Sequence, residues 1–234
     1  MTIKAILFDK DGTLLDFDAT FAPATAKVLA ELANGEEHRI RQLAAAVDFD
    51  LVSGTIKPGS VLVAGSLENI CEELVPFMDN VDLSVALEKV DALYVKYTLE
   101  TLAPFDFLES SLTELSEMGL DLGVATNDSE AAAMAHLNQI GVTERFCFIV
   151  GFDSGHGEKP APGMVAAFIE HLGLTPQEVM MVGDSPHDCK AGRSAGAVAV
   201  GVTSGGATAE QLAPHADHVV GSIADLPDLL VRLS

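Results

Sequence analysis

The sequence predicts an α/β protein: a doubly wound parallel sheet with an all-helical insert after its first strand. Three observations predict it. From Pro104 onward, short apolar runs alternate with helical patterns. Residues 17–103 carry helical patterns and no convincing buried strand. Polar, acid-rich residues recur where the strands should end. With 234 residues, 48% of them hydrophobic, the chain can bury a core and a smaller second domain. The expected division is a core of 1–16 and 104–234, with 17–103 as the insert.

The first strand is read from Ile3 to Phe8 and runs into Asp9-Lys10-Asp11-Gly12. Taken alone, that tetrapeptide is a turn, because Asp-Gly is a turn signal and Asp bonds to nearby backbone N–H groups. No second β-run follows to close a hairpin, however. Side chains two apart in an extended segment share a side, so Asp9 and Asp11 would crowd two negative charges at the strand's carboxyl end. Such a pair calls for a cation. Within the insert, Thr20–Ala33 reads as a helix ending near Asn34-Gly35. Glu36–Val47, Ser66–Leu74 and Leu83–Leu99 read as three more, and 53–66 reads as a Gly/Pro/Ser loop. Beyond Pro104, strands are expected at 121–126, 146–150, 179–183, 197–202 and 217–221. Helices are expected at Glu109–Met118, Ser129–Gln139, Gly163–Leu172, Pro186–Ala195 and Thr208–Leu212.

Ligands of an open parallel sheet bind at the carboxyl ends of its strands. Those ends offer Asp9 and Asp11; then Thr126, Asn127 and Asp128; then Glu158, Lys159 and Pro160; then Gly183, Asp184, Ser185 and Asp188. A carboxylate can attack phosphorus and form an aspartyl-phosphate. Acids gathered beside it need a hard cation, and Mg²⁺ suits oxygen ligands and phosphate. Lys159 is the candidate to neutralise a transferring phosphoryl group, and Thr126 can bind one of its oxygens. A second carboxyl can protonate the leaving alcohol and then activate water.

The charge balance narrows the partners. The chain has 13 Lys+Arg against 35 Asp+Glu, a net charge of -22, which repels nucleic acid and anionic membranes. Any phosphate site must therefore rest on strong local positive charge. Cys71, Cys147 and Cys189 are widely spaced and odd in number, so reduced thiols in a cytoplasm are expected. No signal peptide is expected before Asp9, and no apolar run reaches transmembrane length.

Four ordered motifs resemble those of the haloacid dehalogenase superfamily, on its phosphoglycolate phosphatase-like branch. They are Asp9-Lys10-Asp11-Gly12-Thr13-Leu14 for DxDGTL, "GVATN" with Thr126, "EKPAP" with Lys159, and Gly183-Asp184-Ser185-Pro186-His187-Asp188 for GDSxxD. The resemblance covers essentially the whole chain and is weakest in 17–103. It implies a Rossmann-like core with a helical cap inserted between the first two motifs. It also implies roles: Asp9 as nucleophile and Mg²⁺ ligand, and Asp11 as general acid and base with its backbone carbonyl on the metal. Thr126 and Lys159 would hold the phosphoryl group, Asp184 would bind Mg²⁺, and Asp188 would bind it or support the site from behind.

Each position also has a local reading. Ser185, Pro186 and Asp188 form a helix start, so Asp188 can be a cap. Thr126 can cap the helix at 129–139, as can Asp128 or Ser129. Lys159 can be a solvated loop lysine. Asn127 is a further candidate for substrate or phosphate contact. His156 reads as exposed and idle, and His136 and His171 read as structural. Arg39, Arg41 and Lys57 are either helix-surface charges or contacts to an anionic substrate. The stretch 201–206 lacks the GxxxxGK[ST] pattern and reads as a loop.

The function expected is Mg²⁺-dependent hydrolysis of a small phosphomonoester, phosphoglycolate-like or a sugar phosphate, by a monomer or homodimer. The alternative enzyme is a phosphomutase resembling β-phosphoglucomutase. Outside enzymes, the alternatives are an aspartyl-phosphate switch resembling a response-regulator receiver, or a catalytically silent binding protein. Receivers are about half this length and lack the insert. The set Asp9, Asp11, Thr126, Lys159 and Asp184 argues against a silent protein.

Overall fold

Four residues, Ala5–Phe8, form the first strand, β1, and all four are buried. The computed structural model describes residues 2–79 and 81–233. After β1 come α1 (Phe17–Leu32), α2 (Glu37–Ala46), β2 (Phe49–Asp50), β3 (Thr55–Ile56), α3 (Val61–Ala64), α4 (Leu67–Leu74) and α5 (Leu83–Thr101). Then follow α6 (Leu108–Glu117), β4 (Asp121–Ala125), α7 (Glu130–Gln139), β5 (Phe148–Val150), α8 (Gly163–Leu172) and β6 (Val179–Gly183). The chain ends with α9 (Pro186–Ser194), β7 (Val198–Val202), α10 (Ala209–Leu212), β8 (His218–Val220) and α11 (Leu226–Leu233).

The six core strands lie in the order β5-β4-β1-β6-β7-β8 and pair in parallel throughout. Chain order reverses at β1, so the residues after β1, β4 and β6 converge at a topological switch point. Strand alternation feeds two apolar layers. Ile6, Phe8, Leu122, Val124, Met180 and Val182 pack with α6 and α11. Ala5, Leu7, Ala125, Val179 and Met181 pack with α8 and Ala191. This is the doubly wound α/β core that the strand pattern predicts.

Two compact units divide the chain: Met1–Asp16 with Pro104–Ser234, and Phe17–Ala103. The second unit is mainly helical around its own core, which includes Val28, Leu29, Leu43, Leu74 and Val90. Two of its helices, α4 and α5, start at side-chain caps: Ser66 forms a capping box with Asn69, and Asp82 accepts from the Val85 N–H. It is not wholly helical, however. β2 and β3 pair antiparallel, Phe49 with Ile56 and Asp50 with Thr55. The Asp50 carboxylate accepts from the N–H groups of Val52 and Ser53 and closes the turn. Strands of two residues carry no readable period, so the sequence gives no sign of them. The stretch 53–66, read as a loop, also holds β3 and α3. The C-terminal helix α11 was not foreseen; its Leu226, Leu229 and Leu230 are buried against the sheet's first layer.

Candidate active site

The site begins where β1 ends. The Asp9 N–H still donates to Val182 O at 2.8 Å, so the ladder to β6 extends to Asp9 and fixes its backbone. Lys159, which follows β5 through the 151–158 loop, is buried and reaches back to it. Its Nζ donates to Asp9 Oδ1 at 2.5 Å and to Ala125 O at 2.8 Å, and pairs with Asp188 Oδ1 at 2.7 Å. Burial alone would lower the Lys159 pKa, but Asp188 and Asp9 outweigh it and raise it. The ammonium is therefore a fixed positive charge.

Asn127 grips the same lysine from behind. Its Nδ2 donates to Lys159 O at 2.9 Å, and its Oδ1 accepts from the Lys159 N–H at 2.8 Å. Asn127 was a further candidate for substrate or phosphate contact; its amide holds the Lys159 backbone. Thr126 is buried, and its Oγ1 accepts from the Asp128 N–H at 3.0 Å, ordering the turn after β4. The helix cap there is Ser129, whose side chain accepts from the Ala132 N–H.

Asp188 serves two partners at once. Its Oδ2 accepts from Ser185 Oγ at 2.6 Å and from the Ser185 N–H at 3.0 Å, completing a capping box, while Oδ1 faces Lys159. The local reading and the site reading are therefore both realised in one side chain. Gly183 makes room for it, since a Cβ there would lie 2.2 Å from the Asp188 Cγ.

Asp184 is held by residues of the 201–206 stretch, which reads in the sequence only as a loop. The Gly206 N–H donates to Asp184 Oδ2 at 3.1 Å, and Ser204 Oγ donates to Gly12 O at 2.8 Å. A Cβ on Gly205 would lie 1.8 Å from Asp184 Oδ2, and one on Gly12 would lie 2.3 Å from it. The 203–206 loop therefore wraps the carboxylate. The only signal for this in the sequence was a Gly-Gly pair after an apolar strand.

Asp9, Asp184 and Asp188 each offer an oxygen, and these lie within 4.8 Å of one another. Burial raises the Asp9 pKa well above the carboxylate range, against the pull of Lys159, with Asp188, Asp184 and Asp11 adding to the rise. Burial and Asp188 push Asp184 up to about 7. An all-oxygen set this compact, which cannot all ionise on Lys159 alone, fits a hard divalent cation.

Asp11 faces the other buried lysine. Lys10 Nζ lies 2.7 Å from both Asp11 oxygens, 3.2 Å from Asp128 Oδ2 and 3.0 Å from His136 Nδ1. The sequence reading assigned no role to Lys10, placed Asp128 at a strand end or as a helix cap, and took His136 as structural. Arg39, Arg41 and Lys57, open as anion contacts, pair with Asp79, Glu37 and Asp48 respectively. His156 is exposed.

Such a site joins an acid cluster to a buried lysine at the switch point of a doubly wound sheet. The family pattern of haloacid dehalogenase-like hydrolases matches residues 3–196, and the chain belongs to that family. Within it, the chain is an enzyme of the phosphoglycolate phosphatase-like branch. It is 32% identical to a phosphoglycolate phosphatase of Neisseria meningitidis, over 96% of this chain and 92% of that one. It is 30% identical to an N-acetylmuramic acid 6-phosphate phosphatase of Pseudomonas aeruginosa, over 99% and 96%. A haloacid dehalogenase-like family hydrolase from Streptococcus pneumoniae superposes with a TM-score of 0.69 at 19% identity, over 97% and 98%, which shows the shared fold. Among the described residues, no helix is long and apolar enough to cross a membrane.

Proposed function

We propose that the protein is a Mg²⁺-dependent phosphatase that hydrolyses a small phosphomonoester through an aspartyl-phosphate on Asp9. One observation carries the reading: the buried Lys159 ammonium is shared between Asp9 and Asp188 at a compact acid cluster. That supports reading Asp9 as the carboxylate nucleophile, Lys159 as the phosphoryl-binding cation and the acids around them as metal ligands. Asp9, Asp184 and the Asp11 carbonyl would hold Mg²⁺, with Asp188 as a further carboxylate. Bound there, the ion supplies the positive charge that ionises Asp9 and offsets the phosphoryl oxygens.

The chain's own groups do the rest. Asp9 attacks phosphorus while Lys159 and Thr126 hold the phosphoryl oxygens. The ester P–O bond breaks, and its electron pair leaves on the alcohol oxygen, which takes a proton from Asp11. Asp11, now a carboxylate, removes a proton from water. The resulting hydroxide adds to phosphorus and the Asp9–phosphorus bond breaks. Inorganic phosphate is released, and both aspartates return to their starting states.

The relatives' names mark the substrates to screen: phosphoglycolate and a sugar 6-phosphate. Lys27, Arg39, Arg41, Lys57 and Lys96 each pair with an acid of their own unit. That supports hydrolysis of a compact ester over the clamping of a second phosphate for a mutase. The test is phosphate release across a phosphomonoester panel, with and without Mg²⁺, beside hexose phosphate isomerisation by the same preparation. Chelation should abolish release, Mg²⁺ should restore it and Ca²⁺ should substitute badly. Asp9→Asn should stay folded and lose at least ~10³-fold in turnover. Normal turnover in that variant, or rapid isomerisation with only trace phosphate, would overturn the reading.

A further inference from the structure

The first motif contains a lysine that the reaction above does not use. Lys10 lies between Asp9 and Asp11, and its side chain is 0% exposed. A buried ammonium is tolerated only among counter-charges and acceptors. Lys10 has them from three directions: both Asp11 oxygens at 2.7 Å, Asp128 Oδ2 at 3.2 Å after β4, and His136 Nδ1 at 3.0 Å on α7. Lysine only donates, so His136 Nδ1 is an acceptor and its ring proton sits on Nε2. Burial and Lys10 together hold this histidine down to about 4, so it stays neutral and accepting near neutrality. Asp128 is itself fixed, because its Oδ1 accepts from the Ser129 N–H at 2.9 Å and its own N–H donates to Thr126 Oγ1 at 3.0 Å.

The backbone beneath Asp11 is equally set. Leu14 and Leu15 both donate to Lys10 O, and the Gly12 N–H donates to Leu15 O. What remains free in Asp11 is the rotation of its carboxyl group, and that is the freedom the Lys10 ammonium removes. The side chain of Asp11 keeps 17% of its exposure, so the held carboxylate still has an open edge. The two buried lysines thus divide the two motif aspartates between them, Lys159 at Asp9 and Lys10 at Asp11.

We propose that Lys10, anchored by Asp128 and His136, is a positioning residue that fixes the Asp11 carboxyl group for proton transfer. The inference rests on the reading of Asp11 as general acid and base. With an alkyl phosphate, the departing electron pair needs a proton from Asp11 as the ester bond breaks. With p-nitrophenyl phosphate, nitrophenolate leaves with its electron pair and needs none. A misplaced Asp11 therefore slows the first turnover of the alkyl ester far more than that of the aryl ester. A merely structural defect lowers both alike, because their ratio does not depend on the folded fraction.

The experiment compares single-turnover rates on p-nitrophenyl phosphate and on phosphoglycolate, or on the best alkyl ester of the panel should phosphoglycolate not turn over. The enzymes are wild type, Asp11→Asn, and Lys10→Met combined with Asp128→Asn, so that one buried charge of each sign leaves together. Asp11→Asn sets the scale: the alkyl rate should fall ~10²-fold or more relative to the aryl rate. The Lys10 variant should show the same split, at least ~10-fold, and a burst of one equivalent of nitrophenolate followed by slow turnover. Asp128→Asn alone, at a side chain that is 25% exposed, should split the substrates less and in the same direction. If Asp11→Asn does not separate the substrates, the acid–base reading itself fails. If Asp11→Asn separates them while neither the Lys10 variant nor Asp128→Asn does, the positioning role is wrong.

Discussion

Gly205→Ala should disable metal-dependent turnover while leaving the fold intact. No positive φ is required at this residue, so alanine's backbone is unstrained; the conflict is with a side chain alone. The new Cβ would lie 1.8 Å from Asp184 Oδ2 and 2.4 Å from its Cγ. Ordinary contact begins at about 3.5 Å, so the carboxylate or the loop must shift by more than ~1 Å. Both are confined. Gly12 backs Asp184 so closely that a Cβ there too would lie 2.3 Å from Asp184 Oδ2, and Ser204 ties the loop to Gly12 O at 2.8 Å. Mg²⁺ accepts oxygen only near 2.0–2.1 Å in a strict octahedron, so a displacement of ~1 Å removes Asp184 as a useful ligand. Apparent Mg²⁺ affinity should weaken at least ~10–100-fold. The assay is the initial rate of phosphate release against free Mg²⁺, with thermal unfolding measured on the same samples. Gly206→Ala is the matched control, because its Cβ would meet nothing within 4 Å and its N–H to Asp184 survives. Wild-type Mg²⁺ dependence in Gly205→Ala, or an equal loss in Gly206→Ala, would refute the steric argument.

Two more predictions follow from the supports around the site. His136 is held at about 4 against an ordinary 6.5, first by burial and then by Lys10. Between those values the unfolded chain binds a proton that the folded chain refuses. Its contribution is complete above pH 6.5 and is lost as pH falls towards 4, with a ceiling of ~3 kcal/mol. Urea unfolding at pH 7 and pH 4.5 should show His136→Leu losing less stability on acidification than wild type, and equal losses would count against the assignment. Asn127→Ala removes both bonds to the Lys159 backbone, so turnover should fall ~10-fold or more and stability by ~1–3 kcal/mol, with apparent Mg²⁺ affinity unchanged. A variant that weakens Mg²⁺ binding as strongly as it lowers turnover would show that Asn127 does not act through Lys159.

The legible parts share a physical cause. The strand Val179–Gly183 is read at its observed bounds because its buried run is continuous and ends in the polar GDS stretch. β1 and β4 are legible for the same reason, while Phe49–Asp50 and Thr55–Ile56 are too short to show a period. The carboxylates Asp9 and Asp184 stand out as candidates because each follows a strand directly, and Asp11 because it lies two residues beyond Asp9. The bond from Asn127 to the Lys159 backbone was not readable, since an amide gives no sign in sequence of whether it meets backbone or ligand. Lys10 and His136 were unreadable as a pair, because 126 residues separate them and only the sheet brings α7 beside β1. Gly205 looked like loop punctuation, and its constraint arises wholly from where Asp184 points.

The charge distribution joins these observations. A chain of net charge -22 repels an anionic substrate at long range, so attraction must come from charges that water and counter-ions cannot screen. Lys10 and Lys159 are the only buried lysines or arginines among the described residues, and each contacts one aspartate of the first motif. Surface bases elsewhere, such as Lys27, Lys57 and Lys96, pair with neighbouring acids in solvent, where such pairs contribute little. Positive charge is thus fixed where the local dielectric makes it strongest, and yet it falls short of the carboxylates gathered there: burial first, and then the neighbouring acids, raise the pKa of both Asp9 and Asp184. On the mechanism proposed above, that residual deficit is what a divalent cation would offset, because without added positive charge burial holds the Asp9 carboxyl towards its protonated form, in which it is a poor nucleophile.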